Sequence, residues 1–200
     1  MPGGKILMIA ETISHFNILD FIIIIVFFRI CYIAAKMGLS IEVFKLPGIV
    51  FATYIGLHYY TSLSDLFYKS FMPKSMPLEF TDFLVFIFLV SAGYLGFVGL
   101  RSILYRYVQL NAIPRINQIL GLLLGILRGF FIIGLVAFTL TISSVKYFTD
   151  MVKHSYLGSK AVRISPATYD WFWYNIFSKF TASEQYNATV AETLDRINKK

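Results

Sequence analysis

One apolar stretch decides the fold of this chain: NQILGLLLGILRGFFIIGLV, residues 117–136. Gly121, Gly125 and Gly129 recur at a spacing of four, so on a helix they share one broad face. Small residues at this spacing let two helices approach closely in lipid, where packing drives association. Asn117 and Arg128 fall on the same face, and a cation within an apolar run normally turns toward protein or water. The stretch therefore predicts a transmembrane helix that presents small and polar groups to partner helices.

The composition predicts an integral membrane protein. Of the 200 residues, 57% are hydrophobic and 14% are charged, whereas soluble domains carry about 25% charged residues. The length fits about four membrane spans and a short extramembrane tail. The net charge of +7 is explained by Lys and Arg in loops beside the spans. No nucleic-acid module signature is present, so we expect no nucleic-acid partner.

The apolar runs predict three parts: a lead-in (residues 1–16), a four-helix transmembrane domain (17–145) and a C-terminal tail (146–200). The first span lacks a following cleavage site and should stay in the mature protein. The spans are expected at about 18–35, 47–68, 80–104 and 116–144. A short link at 36–46 precedes Pro47, which suits the first turn of a helix because its missing N–H costs nothing there. Small residues, among them Gly96 and Gly99, give the third span a contact surface.

The tail contains an aromatic segment at about 166–180, too short to span the membrane. Its composition is typical of an amphipathic helix that lies in the membrane interface. The alternative is a partner-binding surface with Trp171 and Trp173 as its anchors. Residues 181–200 are polar, and we expect them to be loosely ordered.

The distribution of basic residues predicts the orientation. Loops one and three carry Lys36, Lys45, Arg101, Arg106 and Arg115, whereas the N-terminal segment and loop two carry Lys5, Lys69 and Lys74. Because cytoplasmic loops are enriched in Lys and Arg, this bias favours both termini outside the cytoplasm. The tail carries further basic residues that argue the other way, but few of them lie close to the fourth span.

The sequence offers no recognisable catalytic, cofactor-binding or metal-binding set. His15, His58 and His154 are far apart and lack metal-ligand spacing. Cys31 is the single cysteine, and it has no neighbouring base that would activate it. The glycine segment lacks the Lys-Ser/Thr of a phosphate-binding loop. We therefore expect a protein that is not an enzyme.

The ionisable residues within the predicted spans are the sharper candidates for function. They are Asp20, Arg29, Arg128 and, at a span boundary, Glu42. They would form an ion or substrate path or a polar relay, or a structural ion pair that fixes helix register, or they would extend to the membrane interface. Asp20 and Arg29 lie on opposite sides of one helix and cannot pair with each other. We expect Arg128 to face the interior of the bundle, with the carboxylate of Asp20 or Glu42 nearby.

A second polar group lies on the far half of the second span. His58 and Asp65 share one face at a spacing of seven, which suits either a proton relay or a polar helix end near the headgroups. Gly38 and Gly48 join the three glycines of the fourth span as expected helix-packing positions.

Four segments follow one another in a recognisable order: Asn17-Ile-Leu-Asp20, Gly38-Leu-Ser-Ile-Glu42 with Gly48, His58 to Phe67, and Asn117 to Gly129. Taken together, they resemble the colicin V production protein family of bacterial inner membranes. The last is similar to the family's Asn/Asp-Arg-x-Leu-Gly-x-x-x-Gly-x-x-Arg-Gly segment. Ala34 and Gln118 depart from the pattern, since the family often has glycine and arginine there.

The resemblance implies a multi-pass inner-membrane protein that is needed for colicin V production and tied to envelope function. We therefore expect a non-catalytic protein that supports toxin export or envelope homeostasis. The lipid bilayer, other copies of the chain, and export or envelope proteins are its expected partners. The alternative is a small oligomeric channel or transporter, because four short spans alone enclose little volume.

Overall fold

The computed structural model describes residues 16–71, 73, 76–104, 114–143, 145–181 and 184–198. This part of the chain forms helices and no strands. Its four long helices are α1 (Ile18–Met37), α2 (Leu39–Phe71), α3 (Leu78–Leu104) and α4 (Pro114–Ile142). Each is long and apolar enough to cross a membrane, which confirms the prediction of an all-α membrane protein. The lead-in before Phe16 and the basic residues Lys5, Lys74 and Arg106 lie outside the described residues.

Helix α1 begins at a reciprocal cap and ends at a glycine. The Asn17 side chain accepts hydrogen bonds from the N–H groups of Leu19 and Asp20, and the Asp20 carboxylate accepts one from the Asn17 N–H. Two unpaired donors of the first turn are thereby satisfied. Gly38 then adopts a φ of +76°, which side chains with a Cβ rarely tolerate. The chain passes from α1 to α2 at this single residue.

The predicted link at 36–46 is wrong, because α2 already begins at Leu39 and Pro47 lies inside the helix. Proline at this position leaves the carbonyl of Val43 without its usual helical donor. Packing against α3 and α4 outweighs this loss. At 33 residues, α2 is about 50 Å long, well beyond the roughly 30 Å of a bilayer's hydrocarbon core.

Helix α4 lies between α1 and α2, and α3 packs mainly against α2. The core between α2, α3 and α4 is aromatic: the ring centroids of Phe86 and Phe138 are 5.8 Å apart, and those of Tyr60 and Phe86 are 5.7 Å apart. All three side chains are buried. The apolar helices therefore pack around a buried aromatic core next to α4.

The tail forms a series of shorter helices against the bundle. They are α5 (Lys146–His154), α6 (Gly158–Ala161), α7 (Ile164–Phe172), a π-helical turn (Trp173–Phe177), α8 (Ser178–Phe180) and α9 (Ala188–Asn198). The expectation of a loosely ordered segment at 181–200 is wrong for α9. Its Val190, Thr193 and Ile197 are buried at helical spacing, a pattern too sparse to stand out in a polar stretch.

The aromatic segment predicted at about 166–180 falls within α7, the π turn and α8. Tyr169 and Trp173 are buried, whereas Trp171 and Tyr174 are exposed. One side of the segment thus packs against protein, and the other side offers aromatic rings to the surroundings. Of the two tryptophans expected as partner anchors, Trp171 is the one that remains accessible.

Candidate functional site: the buried polar groups of the bundle

The glycines of α4 form the contact with α1. A Cβ placed on Gly125 would overlap the Cβ of Ala34, and one on Gly129 would come within 2.9 Å of the Phe27 ring. Gly121 lies equally close to the backbone of Gly38. The small-residue face of α4 is therefore occupied within the protomer, by helix α1.

The other predicted packing glycines make different contacts. Gly38 lies against the side chain of Asn117, and Gly48 lies against the Phe97 ring of α3. On α3, however, a Cβ on Gly96 or Gly99 would meet no described atom within 4 Å. The structure therefore places these two glycines of the expected contact surface on the outside of the protomer.

Glu42 and Arg128 form an ion pair next to the glycine contact. The Arg128 Nε lies 2.9 Å from the Glu42 Oε2, and the Lys45 Nζ lies 3.2 Å from the Glu42 Oε1. Glu42 is fully buried and Arg128 is 6% exposed. Since the Nε–H is not aligned on Oε2, the contact is a close charge pair rather than a well-formed hydrogen bond. Of the two expected carboxylates, Glu42 is the one beside Arg128.

Asp20 has a separate set of partners in the tail. Its carboxylate accepts from the Ser155 hydroxyl at 2.6 Å, from the Leu157 N–H at 2.7 Å and from the Tyr156 N–H at 3.3 Å. The side chain is fully buried. Together with the capping bond from Asn17, these donors satisfy the carboxylate, so Asp20 joins the start of α1 to the turn between α5 and α6.

Arg29 and Asp65 stay outside these buried groups. Both side chains are exposed, and neither has an oppositely charged group within 4 Å among the described residues. The structure therefore does not bring His58 and Asp65 together.

His58 is instead held by the tail. Its Nδ1 lies 2.9 Å from the Tyr169 hydroxyl, and its Nε2 lies 3.2 Å from the Glu184 Oε2. The ring also stacks against Tyr54 and Trp173, with centroid distances of 5.3 and 5.2 Å. His58 is 6% exposed, so it lies inside an aromatic box at the junction of α2 and the tail.

The hydrogen-bonding capacity of these groups indicates the tautomer of His58. The Tyr169 hydroxyl accepts from the Asn187 N–H at 2.9 Å, which leaves its own hydrogen to donate to the His58 Nδ1. The His58 Nε2–H then donates to the Glu184 carboxylate. Glu184 also accepts from the Tyr59 hydroxyl at 2.8 Å. In this arrangement the hydroxyl of Tyr169, both ring nitrogens of His58, the carboxylate of Glu184 and the hydroxyl of Tyr59 each have a hydrogen-bond partner.

Burial makes the Tyr169 hydroxyl less acidic than an exposed tyrosine. Loss of solvent raises the pKa of Tyr169 to about 12; the hydrogen bond from the Asn187 N–H lowers the pKa, and Asp170, Tyr174 and Glu184 raise it by smaller amounts. The hydroxyl therefore keeps its proton, and so remains a donor to His58, across the physiological pH range.

Among the residues that sequence reasoning missed, the most distant in sequence from their partners lie in the tail. Tyr169, Glu184 and Asn187 approach α2 across separations of 111 or more residues, and Ser155 lies 135 residues from Asp20. A buried histidine or aspartate signals that a partner is needed. Nothing in a single sequence shows which distant residue supplies it.

The three buried polar groups, centred on Glu42, Asp20 and His58, therefore have two structural roles in the bundle. One group neutralises charge between α2 and α4, and the other two fasten the tail to α1 and α2. The model of the colicin V production protein family matches residues 19–166, which include Asp20, Glu42, His58 and Arg128. No curated protein and no solved structure matches the chain significantly. The chain belongs to the colicin V production protein family.

Proposed function

We propose that this protein acts in colicin V production as a non-catalytic assembly protein of the bacterial inner membrane, assisting toxin export or maintaining the envelope that export requires. Membership of the family supports the role in colicin V production. The observation that favours assembly over conduction is the filled face of α4. A pore lined by that face would need water where α1 now packs against Gly121, Gly125 and Gly129.

The test is complementation in a bacterium that secretes colicin V and lacks its own family member. The wild-type chain should restore toxin activity in the medium. Arg29→Ala should restore it as well, whereas Arg128→Ala should not. Toxin that accumulates inside uncomplemented cells would support a role in export. Normal internal levels with increased dye entry would support a role in the envelope. Wild-type protein that reaches the membrane without restoring the toxin would overturn the proposal.

The proposed orientation has both termini outside the cytoplasm. It rests on the excess of basic residues around the connections from α1 to α2 and from α3 to α4, of which Lys36 and Lys45 lie within α1 and α2. The contact between Asp20 and Leu157 also supports placing the start of α1 and the tail on one side of the membrane. A C-terminal alkaline phosphatase fusion should be active and a C-terminal green fluorescent protein fusion dark. The opposite pair of signals would reverse the orientation.

An oligomeric channel is the second candidate, and the exposed glycines of α3 favour it. Gly96 and Gly99 have no described neighbour, and small residues on a lipid-facing helix let another helix approach closely. A mass measurement in nanodiscs combined with ion flux in liposomes distinguishes the two functions. A ring with ion flux that Gly99→Leu reduces, while the variant stays folded, would favour the channel. A monomer without flux would exclude it.

A further inference from the structure

An apolar groove of about 350 Å³ opens on the surface between α1 and α4, next to α6. Its walls include Ile24 and Phe28 of α1, Ile133 of α4 and Ala161 of α6. Lys160 is the one charged residue among those that line it. The volume lies at the lower end of the range for small-molecule sites, which combine apolar walls with a few placed polar groups.

The groove has a defined direction relative to the helices. Its mouth is at the tail, since the Asp20 carboxylate holds the Leu157 N–H and so places Lys160 beside the first turns of α1. Phe27 and Phe130 line the groove further along the two helices, and their ring centroids are 5.3 Å apart. On α1 the lining residues run from Ile23 to Phe28, that is, from near the start of the helix toward its middle, so the groove follows the direction that a lipid chain would take.

The cation at the mouth is held in place and available. The Lys160 Nζ lies 3.8 Å from the centre of the Tyr156 ring, and the side chain is exposed. No carboxylate of the described residues lies within ion-pair distance of it. A lysine at the membrane surface attracts anionic lipid headgroups, while the apolar walls below it suit a hydrocarbon chain.

From this geometry we propose that the groove binds one anionic phospholipid, with an acyl chain between α1 and α4 and the phosphate paired with Lys160. A zwitterionic lipid would fill the same apolar walls, but its own cation would compete for the phosphate. The bound lipid bridges α1, α4 and the tail. This inference stands apart from the role in toxin production.

The test is lipid competition on the purified full-length chain by native mass spectrometry. Phosphatidylglycerol and phosphatidylcholine with identical acyl chains are offered together. One lysine near a membrane surface contributes about 1 kcal/mol, so phosphatidylglycerol should be preferred about five-fold. Lys160→Ala should abolish the preference and Lys160→Arg should keep it. Lys179→Ala, an exposed lysine outside the groove, is the matched control and should also keep it.

A second variant locates the lipid chain. Ile24→Trp fills the groove from α1 and should reduce retention of both lipids, with an unchanged melting temperature as evidence of folding. Equal binding of the two lipids by the wild type, or an undiminished preference in Lys160→Ala, would overturn the assignment of the headgroup. Full retention of phosphatidylglycerol by Ile24→Trp would overturn the placement of the chain.

Discussion

At the scale of single residues, the buried charges show how a lipid-embedded bundle tolerates ionised groups. Moving a charge out of water is costly, and a buried pair is retained only when its partners compensate each other. Glu42 is compensated by Arg128 and by Lys45, which still reaches partial solvent. Removal of Arg128 would leave the fully buried Glu42 with only the partly exposed Lys45 as a cationic partner among the described residues.

We expect Arg128→Ala to lower the free energy of unfolding by about 3–5 kcal/mol, because Glu42 loses its buried partner. Equilibrium unfolding in detergent, followed by circular dichroism, measures this change. Arg29→Ala removes an exposed arginine of α1 and should change stability by less than about 0.5 kcal/mol. Glu42→Gln combined with Arg128→Met should recover much of the loss. If Arg128→Ala and Arg29→Ala lowered the free energy of unfolding equally, the structural role of the pair between Glu42 and Arg128 would be contradicted.

A second prediction concerns alkaline pH and Tyr169. Its folded-state pKa of about 12 lies above the unfolded value of about 10. The protonated hydroxyl therefore contributes stability that is complete below pH 10 and is lost as the pH rises toward 12. The melting temperature should fall above pH 10, and less steeply in Tyr169→Phe. Tyr147→Phe alters an exposed tyrosine and should leave the slope unchanged; the same slope in all three proteins would contradict the argument.

At the scale of elements, the contact between α1 and α4 depends on the absence of side chains. Gly125 meets Ala34 too closely for a Cβ. Gly125→Leu should therefore destabilise the bundle by at least about 1–3 kcal/mol, the usual cost of overpacking. Gly99→Leu makes the same change on the exposed side of α3 and should be neutral or slightly stabilising, since leucine favours helix more than glycine does. Thermal unfolding in nanodiscs compares the two, and similar losses would mean that the close approach is not limiting.

The four long helices could be predicted because their signal is local. Long apolar runs specify spans in lipid, and the bounds of α1, α3 and α4 differ from the expected ones by only a few residues. The start of α2 could not be predicted in the same way. Pro47 normally marks a first turn, but here tertiary contacts of the preceding residues, among them buried Glu42, extend the helix back to Leu39.

The polar groups show the same limit. A buried arginine requires a carboxylate, and the sequence narrowed the choice to Asp20 and Glu42. The choice between them depends on the tail, because Ser155 and Leu157 donate hydrogen bonds to the Asp20 carboxylate. His58 likewise required a partner, and its spacing from Asp65 predicted that this partner lies on the same face of α2. The actual partners come from Tyr169 and Glu184, and no periodicity relates these residues to α2.

At the scale of the whole molecule, contacts between the tail and the bundle include three that each join a different helix of the bundle to the tail. Asp20 holds the turn before α6, His58 holds Tyr169 and Glu184, and Gly134 lies against Ile164 of α7. The last contact needs a glycine, since a Cβ there would come within 2.9 Å of the Ile164 Cβ. The contacts fix the tail to the start of α1, to the second half of α4 and to the middle of α2.

The Asp20 contact is the one whose loss should free the tail. Asp20→Ala removes the acceptor of the Ser155 hydroxyl and the Leu157 N–H, and a lost bond to a charged group costs about 2 kcal/mol. Cleavage that follows local opening should then become roughly 30-fold faster, near residues 155–163. Limited proteolysis with mass mapping measures the rate, and Asp65→Ala, which removes an exposed carboxylate, is the control. If both variants are cut as slowly as the wild type, the other two contacts are sufficient to hold the tail. If both are cut faster, general loosening of the bundle is responsible, because Asp65 makes no contact with the turn at Ser155.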